Sequence, residues 1–453
     1  MAPTSQERGQ WSSKLGFVLA AAGSAVGLGN IWKFPSEVAE NGGAAFLIIY
    51  LLCCFLVGFP VMTAELVIGR KTSKNPVGAF RALSSGSFAP LIGFWGLICG
   101  IMILAFYNVI AGWAFSFVFA EIFHFTGNAE LSAWFSGSLG GGAVSALFCV
   151  LFMGLTISVV TGGISGGIER ATKTMMPLLI GILILMIVYV ETQEGSGAGF
   201  AAYLQPDFSK LSVGLIFQAM GQAFFSLSLG MGALITYGSY LSKKQNIPEV
   251  AAYVTLADVG IAFIAGLLII PSMYVAQANG IEILNEAGAL ISSDTLVFNV
   301  LPAMFHQMAS SVGAIFGITF FVLLSMAALT STISLLEVPT SYAIDELNWS
   351  RKKSALIIGS AIAFFSVIIS FNLNLIGVLA TLFNDIGLPL GGFMICIFLG
   401  YVWKTHNALD EISSGFPGIN DHWFSKVWPF FVRYICPLLI LVVFVVTLLN
   451  IIG

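Results

Sequence analysis

The stretch GSAVGLGNIWKFP, residues Gly23–Pro35, lies in the first apolar segment of the chain and holds three glycines, a proline and three polar side chains. Glycine and proline disfavour a helix interior, and a lysine is costly in hydrocarbon. A spanning helix tolerates an interruption only where the freed backbone N–H and C=O groups line a cavity or contact a ligand. The stretch therefore predicts a broken membrane helix whose break is a binding site.

The composition places the whole chain in a membrane. Of its 453 residues 58% are hydrophobic and only 9% are charged, and the mean hydropathy is +0.95. A soluble domain carries about 25% charged residues, so a water-exposed surface cannot be assembled here. The six cysteines lie in apolar segments and lack the spacing of a disulfide framework or a zinc site. We predict an all-α polytopic membrane protein in a lipid bilayer, with no nucleic-acid partner and no organic cofactor.

Apolar runs of about 20 residues, the length needed to cross a bilayer, recur along the chain. They predict eleven spans, which we number in chain order. The spans lie at residues 14–40, 43–69, 88–122, 143–161, 166–190, 212–241, 249–276, 309–345, 354–371, 376–404 and 423–452.

Lysine and arginine predict the orientation of these spans. They precede span 1 and recur in the connections that follow spans 2, 4, 6, 8 and 10. In the alternate loops Lys210 is the only lysine or arginine. Basic residues favour the cytoplasmic side. The N-terminus is therefore expected in the cytoplasm and the C-terminus outside, in a plasma membrane of the bacterial inner-membrane type.

Span 6 carries a second interruption. It reads GQAFFSLSLGMGALITYGSYL from Gly221 to Leu241, with two serines and two glycines close together. Glycines also permit close helix packing, which is the competing interpretation for either break alone. Paired breaks at corresponding positions of two inverted halves indicate a midplane binding site. The predicted units are a first five-helix repeat at 1–190, a second at 212–404, and an eleventh helix at 423–453.

Several oxygen-bearing side chains lie in other spans. Asp258 in span 7 and Glu65 in span 2 are carboxylates, and span 8 contains adjacent Thr330 and Ser331. Such hydroxyls often bond back to their own helix. Together with carbonyls freed at Gly23, Val26 and Ala327, however, they would supply the oxygen shell that a hard cation such as sodium needs, so a sodium site is one interpretation of the set.

A hydrolase interpretation also exists. Gly163-Ile164-Ser165-Gly166-Gly167 matches the G-x-S-x-G nucleophile pattern, and that chemistry requires a base beside the serine. The four histidines all lie in or beside polar connections. An intramembrane serine hydrolase is therefore the least favoured alternative.

The segment WSSKLGFVLAAAGSAVGLGNIWKFPSEVAENGGAAF resembles the neurotransmitter:sodium symporter family, and spans 6 and 8 (ALTSTISLLEVP) match the same family in order. The resemblance covers nearly the whole chain and is nearest to an eleven-helix bacterial branch that includes transporters of hydrophobic amino acids. It implies a LeuT-type fold, a 5+5 inverted repeat with discontinuous helices 1 and 6. It also implies a sodium symporter and no enzyme.

The resemblance implies roles for individual residues. The first sodium would be held by Ala25, Asn30, Ser226 and Asp258, and the second by Gly23, Val26, Ala327, Thr330 and Ser331. The substrate would contact Ala25, Leu28, Gly29, Ile103, Tyr107, Phe225, Ser226, Ser228, Met231, Ser331 and Leu335.

Gates and a mobile helix end are implied as well. The outer gate would comprise Lys33, Glu37 and Asp385, with lysine in the place of the family's arginine. The inner gate would comprise Arg8, Trp11, Ser239, Tyr240, Glu337 and Asp345, with Arg8 paired to Asp345. Gly167 and Pro177 would let the cytoplasmic end of helix 5 unwind.

Departures from the family pattern sharpen the expected function. Monoamine carriers have an aspartate where this chain has Gly27, so the substrate should bring its own carboxylate. Asp258 stands where asparagine is usual, and chloride-dependent members have a serine where this chain has Ala262. We expect chloride-independent import of hydrophobic L-amino acids with two sodium ions. A proton-coupled carrier using Asp258 or Glu65, and a sodium-gated channel, are the alternatives on the same architecture.

Overall fold

The computed structural model describes residues 9–84, 86, 88–283, 296–308 and 310–452. In these ranges the regular secondary structure is helical, and the only β-type pairing is one isolated bridge between Gly43 and Pro206. The prediction of an all-α polytopic protein is confirmed.

Nine helices of the described chain are long and apolar enough to cross a membrane. They are Ala44–Thr72, Ala89–Phe125, Gly142–Thr161, Ile164–Glu191, Ile247–Ala278, Ser311–Leu347, Arg351–Ser370, Asn374–Val402 and Phe424–Val446, which correspond to spans 2–5 and 7–11. Span 1 consists of Lys14–Ala25 and Gly29–Glu40, bent by 54° at the break. Span 6 consists of Val213–Ser226 and Ala233–Gly238. This arrangement is consistent with the eleven predicted spans.

The break in span 1 follows from its sequence. The first half begins after Ser13, whose side chain accepts a hydrogen bond from Gly16 N–H, and ends at Ala25, before Val26 in an extended conformation. The second half begins with a wide π-helical turn, Gly29–Lys33, and continues as Phe34–Glu40 with a proline in its first turn. The interruption therefore lies inside the quoted stretch, as the glycines predict.

The break in span 6 contains three alternate residues with left-handed backbone. Ser228, Gly230 and Gly232 have φ of 55°, 78° and 78°, a region that glycine adopts without penalty but serine does not. The N–H of Gly230 donates to Oε1 of Glu65 at 2.8 Å. A carboxylate buried in span 2 thus stabilises the backbone that the break leaves without a helical partner.

Span 2 supports the second half of span 6 through backbone-to-backbone packing. A Cβ on Gly69 would lie 2.1 Å from the carbonyl oxygen of Ile235, and one on Gly238 would lie 2.8 Å from that of Leu66. Side chains at either position would force the two helices apart. These contacts fix the helix that follows the break.

Short helices cover the ends of the spans, at Pro76–Leu83, Ala129–Ser136, Ser196–Leu204, Leu301–Gln307 and Thr405–Ser413. The last of them is tied to span 2 by Arg70, which is fully buried. Its guanidinium donates to Oε1 of Glu411 at 2.9 Å and to the carbonyl of Gln245 at 2.5 Å. One buried arginine thereby joins the end of span 2, the connection after span 6 and the helix before span 11.

We predict that Gly69→Ala lowers the apparent melting temperature, because overpacking of this kind costs about 1–3 kcal/mol. Gly181→Ala is the matched control, since a Cβ there meets nothing within 4 Å, and it should leave the temperature unchanged or slightly higher. Both variants are heated in detergent and the folded fraction is measured by size-exclusion chromatography. Equal melting curves would contradict the proposed backbone contact.

Candidate functional site

Two neighbouring cavities lie beside the broken spans and are also lined by spans 3, 8 and 10. The larger, of about 620 Å³, is lined by residues including Trp32, Lys33, Glu37, Tyr107, Phe225 and Asp385. The smaller, of about 20 Å³, shares Gly29, Tyr107 and Phe225 with it. All the predicted substrate residues except Leu28 line the smaller cavity, and Ser24 and Gly27 join them. Sequence reasoning missed Ser24 as a lining residue.

The unwound backbone at the small cavity is held by side chains. The N–H of Leu28 donates to the Tyr107 hydroxyl at 2.9 Å, and the Ser228 hydroxyl donates to the carbonyl of Ser24 at 3.0 Å. The carbonyl of Phe225 accepts from the N–H of Ser228 at 3.1 Å. The cavity therefore places N–H donors, carbonyl acceptors and hydroxyls within one small, largely apolar enclosure.

Gly27 is required by a close approach. A Cβ at this position would lie 2.4 Å from Oγ of Ser331 and 2.7 Å from the hydroxyl of Tyr107. No larger residue, and in particular no aspartate, fits without displacing both side chains. Position 27 therefore contributes no acidic side chain to the small cavity.

The residues predicted for a first sodium site form one buried cluster. Oδ1 of Asp258 accepts from Asn30 Nδ2 and from the Ser226 hydroxyl, both at 2.7 Å, while Oδ2 accepts from the Tyr50 hydroxyl at 3.0 Å. Oδ1 of Asn30 accepts from the N–H of Gly27 at 3.0 Å. Asn30 thus turns its amide nitrogen toward Asp258 and Ser226 and its oxygen toward Gly27. The carboxylate and hydroxyl oxygens of spans 2, 6 and 7 meet at one point, and oxygens of these kinds are the ligands that hard cations prefer.

The residues predicted for a second site also meet. The Thr330 hydroxyl donates to the carbonyls of Ala327 at 2.8 Å and Val26 at 3.2 Å. A Cβ on Gly23 would lie 3.3 Å from Cβ of Thr330, so the two backbones are close. Ser331 is turned toward the carbonyl of Ser24 at 3.4 Å and lines the small cavity. Ser331 therefore adjoins the small cavity, while its chain neighbour Thr330 contacts the carbonyls of the predicted second site.

The predicted outer gate lines the larger cavity but is not paired. Among the described residues, the ion pairs within 4.0 Å do not include one between Lys33 and Asp385. Nζ of Lys33 instead lies 5.6 Å from the centre of the Phe225 ring, and Asp385 accepts from Asn384 at 2.9 Å. Lys33 and Asp385 thus both line the larger cavity without forming an ion pair with each other in this structure.

The predicted inner gate is closed by aromatic packing and an ion pair. Trp11 packs edge-on against Tyr237 and donates to its carbonyl at 3.1 Å. The Tyr240 hydroxyl donates to Oε1 of Glu337 at 2.6 Å, and Arg351 donates to both oxygens of the same carboxylate at 2.7 and 2.9 Å. Sequence reasoning missed Arg351, which lies in a basic run that also fits a solvated loop.

Asp345 and Ser239 of the predicted inner gate are both hydrogen-bonded. Arg8 lies outside the described residues, so its predicted pairing with Asp345 stays a prediction. Oδ2 of Asp345 accepts from the backbone and side-chain N–H groups of Asn75 at 2.8 and 3.0 Å. The Ser239 hydroxyl donates to the carbonyl of Thr236 within its own helix.

The start of span 5 is helical in this structure. A π-helical turn, Ile164–Glu169, leads into Arg170–Glu191, which contains Pro177 in its interior. A Cβ on Gly167 would lie 2.1 Å from the carbonyl oxygen of Val159, so this glycine permits close contact with span 4. The predicted unwinding between Gly167 and Pro177 is therefore a prediction about a different state.

Comparisons with known proteins agree on one family. A profile of the sodium:neurotransmitter symporter family matches residues 8–135 and 136–452. The uncharacterized sodium-dependent transporter YhdH of Bacillus subtilis (strain 168) is 34% identical over 458 residues, with 98% of each chain covered. The uncharacterized sodium-dependent transporter MJ1319 of Methanocaldococcus jannaschii is 33% identical over 429 residues, covering 90% of this chain and 86% of its own.

A solved structure matches the whole architecture. The crystal structure of MhsT in complex with L-phenylalanine has a TM-score of 0.85 and 40% sequence identity, and the match covers 97% of this chain and 99% of that one.

We predict that Gly27→Ala abolishes ligand binding in the small cavity, because the added carbon displaces Ser331 and Tyr107. Gly221→Ala is the control in the same region, since a Cβ there meets nothing within 4 Å. Binding of a panel of radiolabelled hydrophobic amino acids, the ligand class that the sequence predicts, to purified protein measures both. Unchanged binding in Gly27→Ala would mean that ligand does not use this enclosure.

Proposed function

Because this chain belongs to the sodium:neurotransmitter symporter family, we propose that it imports hydrophobic L-amino acids with two sodium ions and without chloride. The chain is a sodium-dependent transporter and not an enzyme. The observation that carries the proposal is the buried meeting of Asn30, Ser226 and Asp258 directly beside the small cavity. The proposed ion and substrate sites share residues of both broken spans.

The chemistry of the small cavity supports an amino acid as substrate. The substrate carboxylate would replace the hydrogen bond between Tyr107 and Leu28 with its own hydrogen bonds to these two groups, and it would face the first sodium. The substrate amine would donate hydrogen bonds to the carbonyls near Ala25 and Ser226. The remaining wall comprises Ile103, Phe225, Met231 and Leu335. Because Gly27 supplies no acidic side chain, the substrate must bring the negative charge. L-Phenylalanine in the related MhsT fits this description.

Two sodium sites follow from two sets of oxygens. We propose the first at Ala25, Asn30, Ser226 and Asp258, where substrate would complete the shell. We propose the second at the Gly23, Val26 and Ala327 carbonyls with the Thr330 and Ser331 hydroxyls. Direct contact between substrate and the first ion would make their affinities reciprocally dependent. That coupling is what a symporter requires.

Asp258 supports the absence of a chloride requirement. Its carboxylate is fully buried and is held by Tyr50, Ser226 and Asn30. It supplies a fixed negative charge at the first sodium, so no mobile anion is needed to balance the ion. Ala262, one turn further along the helix, offers no hydroxyl to such an anion.

Alternating access would connect the two sides. We propose that the N-terminus is cytoplasmic in a bacterial inner membrane and that the 620 Å³ cavity opens outward. Spans 1, 2, 6 and 7 would then rock against the remaining spans, so that the side of Lys33 and Asp385 closes while the side of Trp11 opens. Closure would bring Lys33 toward Asp385 over the Phe225 ring, with Glu37 beside them.

We predict that an inward sodium gradient drives uptake of phenylalanine and leucine into proteoliposomes, and that replacing chloride with gluconate leaves the rate unchanged. Thr330→Ala should abolish uptake because it removes a sodium ligand. Ser341→Ala is the control in the same span, since that hydroxyl bonds only within its helix at Val338. Uptake driven by a proton gradient alone would instead assign Asp258 or Glu65 to proton transfer, and absence of uptake would reject amino acids as substrates.

We predict that Asp258→Asn raises the sodium concentration for half-maximal uptake at least tenfold, a change of about 1.4 kcal/mol. The amide keeps the shape of the carboxylate but removes its charge from a buried site. Chloride should then stimulate uptake by the variant, because the hydroxyls of Tyr50 and Ser226 still face the position from which the negative charge was removed. A variant with unchanged sodium dependence would show that this carboxylate does not face the ion.

A further inference from the structure

Glu169, at the start of span 5, is a buried carboxylate that holds the segment before span 1. Its Oε2 accepts from the N–H of Ser12 at 2.8 Å, and its Oε1 accepts from the hydroxyls of Ser12 at 2.5 Å and Ser13 at 3.3 Å. Lys173, one turn later, lies 2.7 Å from Oε1. The Glu169 side chain is only 1% exposed although it lies near the end of its helix.

The first turn of span 1 is shaped to receive this carboxylate. A Cβ on Gly16 would lie 1.8 Å from Oε1 of Glu169, so only glycine leaves room for the group. Ser13 meanwhile caps span 1 by accepting from Gly16 N–H. The carboxylate is therefore inserted into the beginning of one helix from the beginning of another.

The same face of span 5 reaches the proposed second sodium site. Thr172 and Met176 follow Glu169 at spacings of three and seven residues, which places the three side chains on one helix face. A Cβ on Gly23 would lie 3.4 Å from Cγ2 of Thr172 and 3.4 Å from Sδ of Met176. Thr172 and Met176 are both 1% exposed, so they cover Gly23 from the side of the N-terminus.

We propose that Glu169 is a positioning residue that latches the first halves of spans 1 and 5 together, and that release of this latch opens the second sodium site toward the cytoplasm. The inference rests on the proposed function, because it assigns the second sodium to Gly23 and Thr330. It adds a residue that touches neither ion nor substrate. Glu169 acts through Thr172 and Met176, which lie between the sodium site and the latch.

The latch separates as a unit because its bonds share one carboxylate. Three donors of residues 12 and 13 converge on Glu169, and losing one leaves the charged group less satisfied and the others weaker. The neighbouring pair Lys14–Glu249 differs, because its side chains are 39% and 40% exposed and water can replace each partner. The Glu169 contact is therefore less easily replaced by water than the Lys14–Glu249 pair, and its release costs more.

The test compares Glu169→Gln with the wild-type chain in lipid nanodiscs. Glutamine keeps the shape but loses the charge, so the open state should gain population. We expect faster amide hydrogen exchange in residues 9–25 and 164–176 together. We also expect about a tenfold higher sodium concentration for half-maximal phenylalanine binding, since hydrogen bonds to charged groups contribute on that scale, with the maximal binding unchanged.

Three variants distinguish a latch from a loss of stability. Glu249→Gln breaks the exposed pair on the same segment and should leave both readouts unchanged. Ser12→Ala should reproduce part of the Glu169→Gln effect. Ser12→Thr, which keeps the hydroxyl, should behave like the wild-type chain in both readouts. Faster exchange throughout the protein, or in only one of the two segments, would overturn the proposal.

Failure of the latch and failure of the proposed function give different results. Hydrogen exchange with and without sodium reports the latch even if phenylalanine does not bind. Coordinated exchange changes without phenylalanine binding would retain the latch and reject the substrate class. Normal sodium-dependent binding in Glu169→Gln, with the exchange of wild type, would reject the latch and retain the transporter.

Discussion

Backbone polar groups that leave a helix inside a membrane must find partners within the protein, and the rest of this structure depends on that constraint. Spans 1 and 6 both break near the middle, and side chains hold three of the freed N–H groups. Glu65 accepts a hydrogen bond from the N–H of Gly230, Tyr107 from that of Leu28, and Asn30 from that of Gly27. The site is the set of partners that the breaks require.

The positions of the breaks could be predicted from the sequence because they are local. Glycines at 23, 27 and 29, and again at 230 and 232, lie in runs that are otherwise apolar, and the structure interrupts both helices there. The ligand residues were predicted largely through the family resemblance. The structure then brings Asn30, Ser226 and Asp258 together, which supports the predicted first site without assigning an ion to it.

Other contacts could not be predicted from the sequence, because they involve charged residues whose sequence context is equally compatible with exposure to solvent. Arg351 belongs to a basic run after span 8, yet it donates to a fully buried Glu337. Glu169 follows a glycine-rich connection, yet it is buried against Ser12, 157 residues away. Only tertiary packing decides between exposure and burial for such residues. The distance between Lys33 and Asp385 is likewise decided by tertiary packing, since the two residues lie in spans 1 and 10.

Two spatial relations connect ion, substrate and conformation. Ser226 contacts Asp258 and also lines the small cavity, so the first proposed sodium and the substrate would share span 6. Ser331 adjoins that cavity and its chain neighbour Thr330 contacts the carbonyls of the second site, so the second sodium and the substrate would share span 8. Span 1 belongs to both sets and is also the helix held by Glu169. A ligand that orders the break in span 1 therefore acts on the same segment that closes the inner side. Binding thus shifts the balance between outward and inward access through one shared helix, without a long chain of intermediate residues.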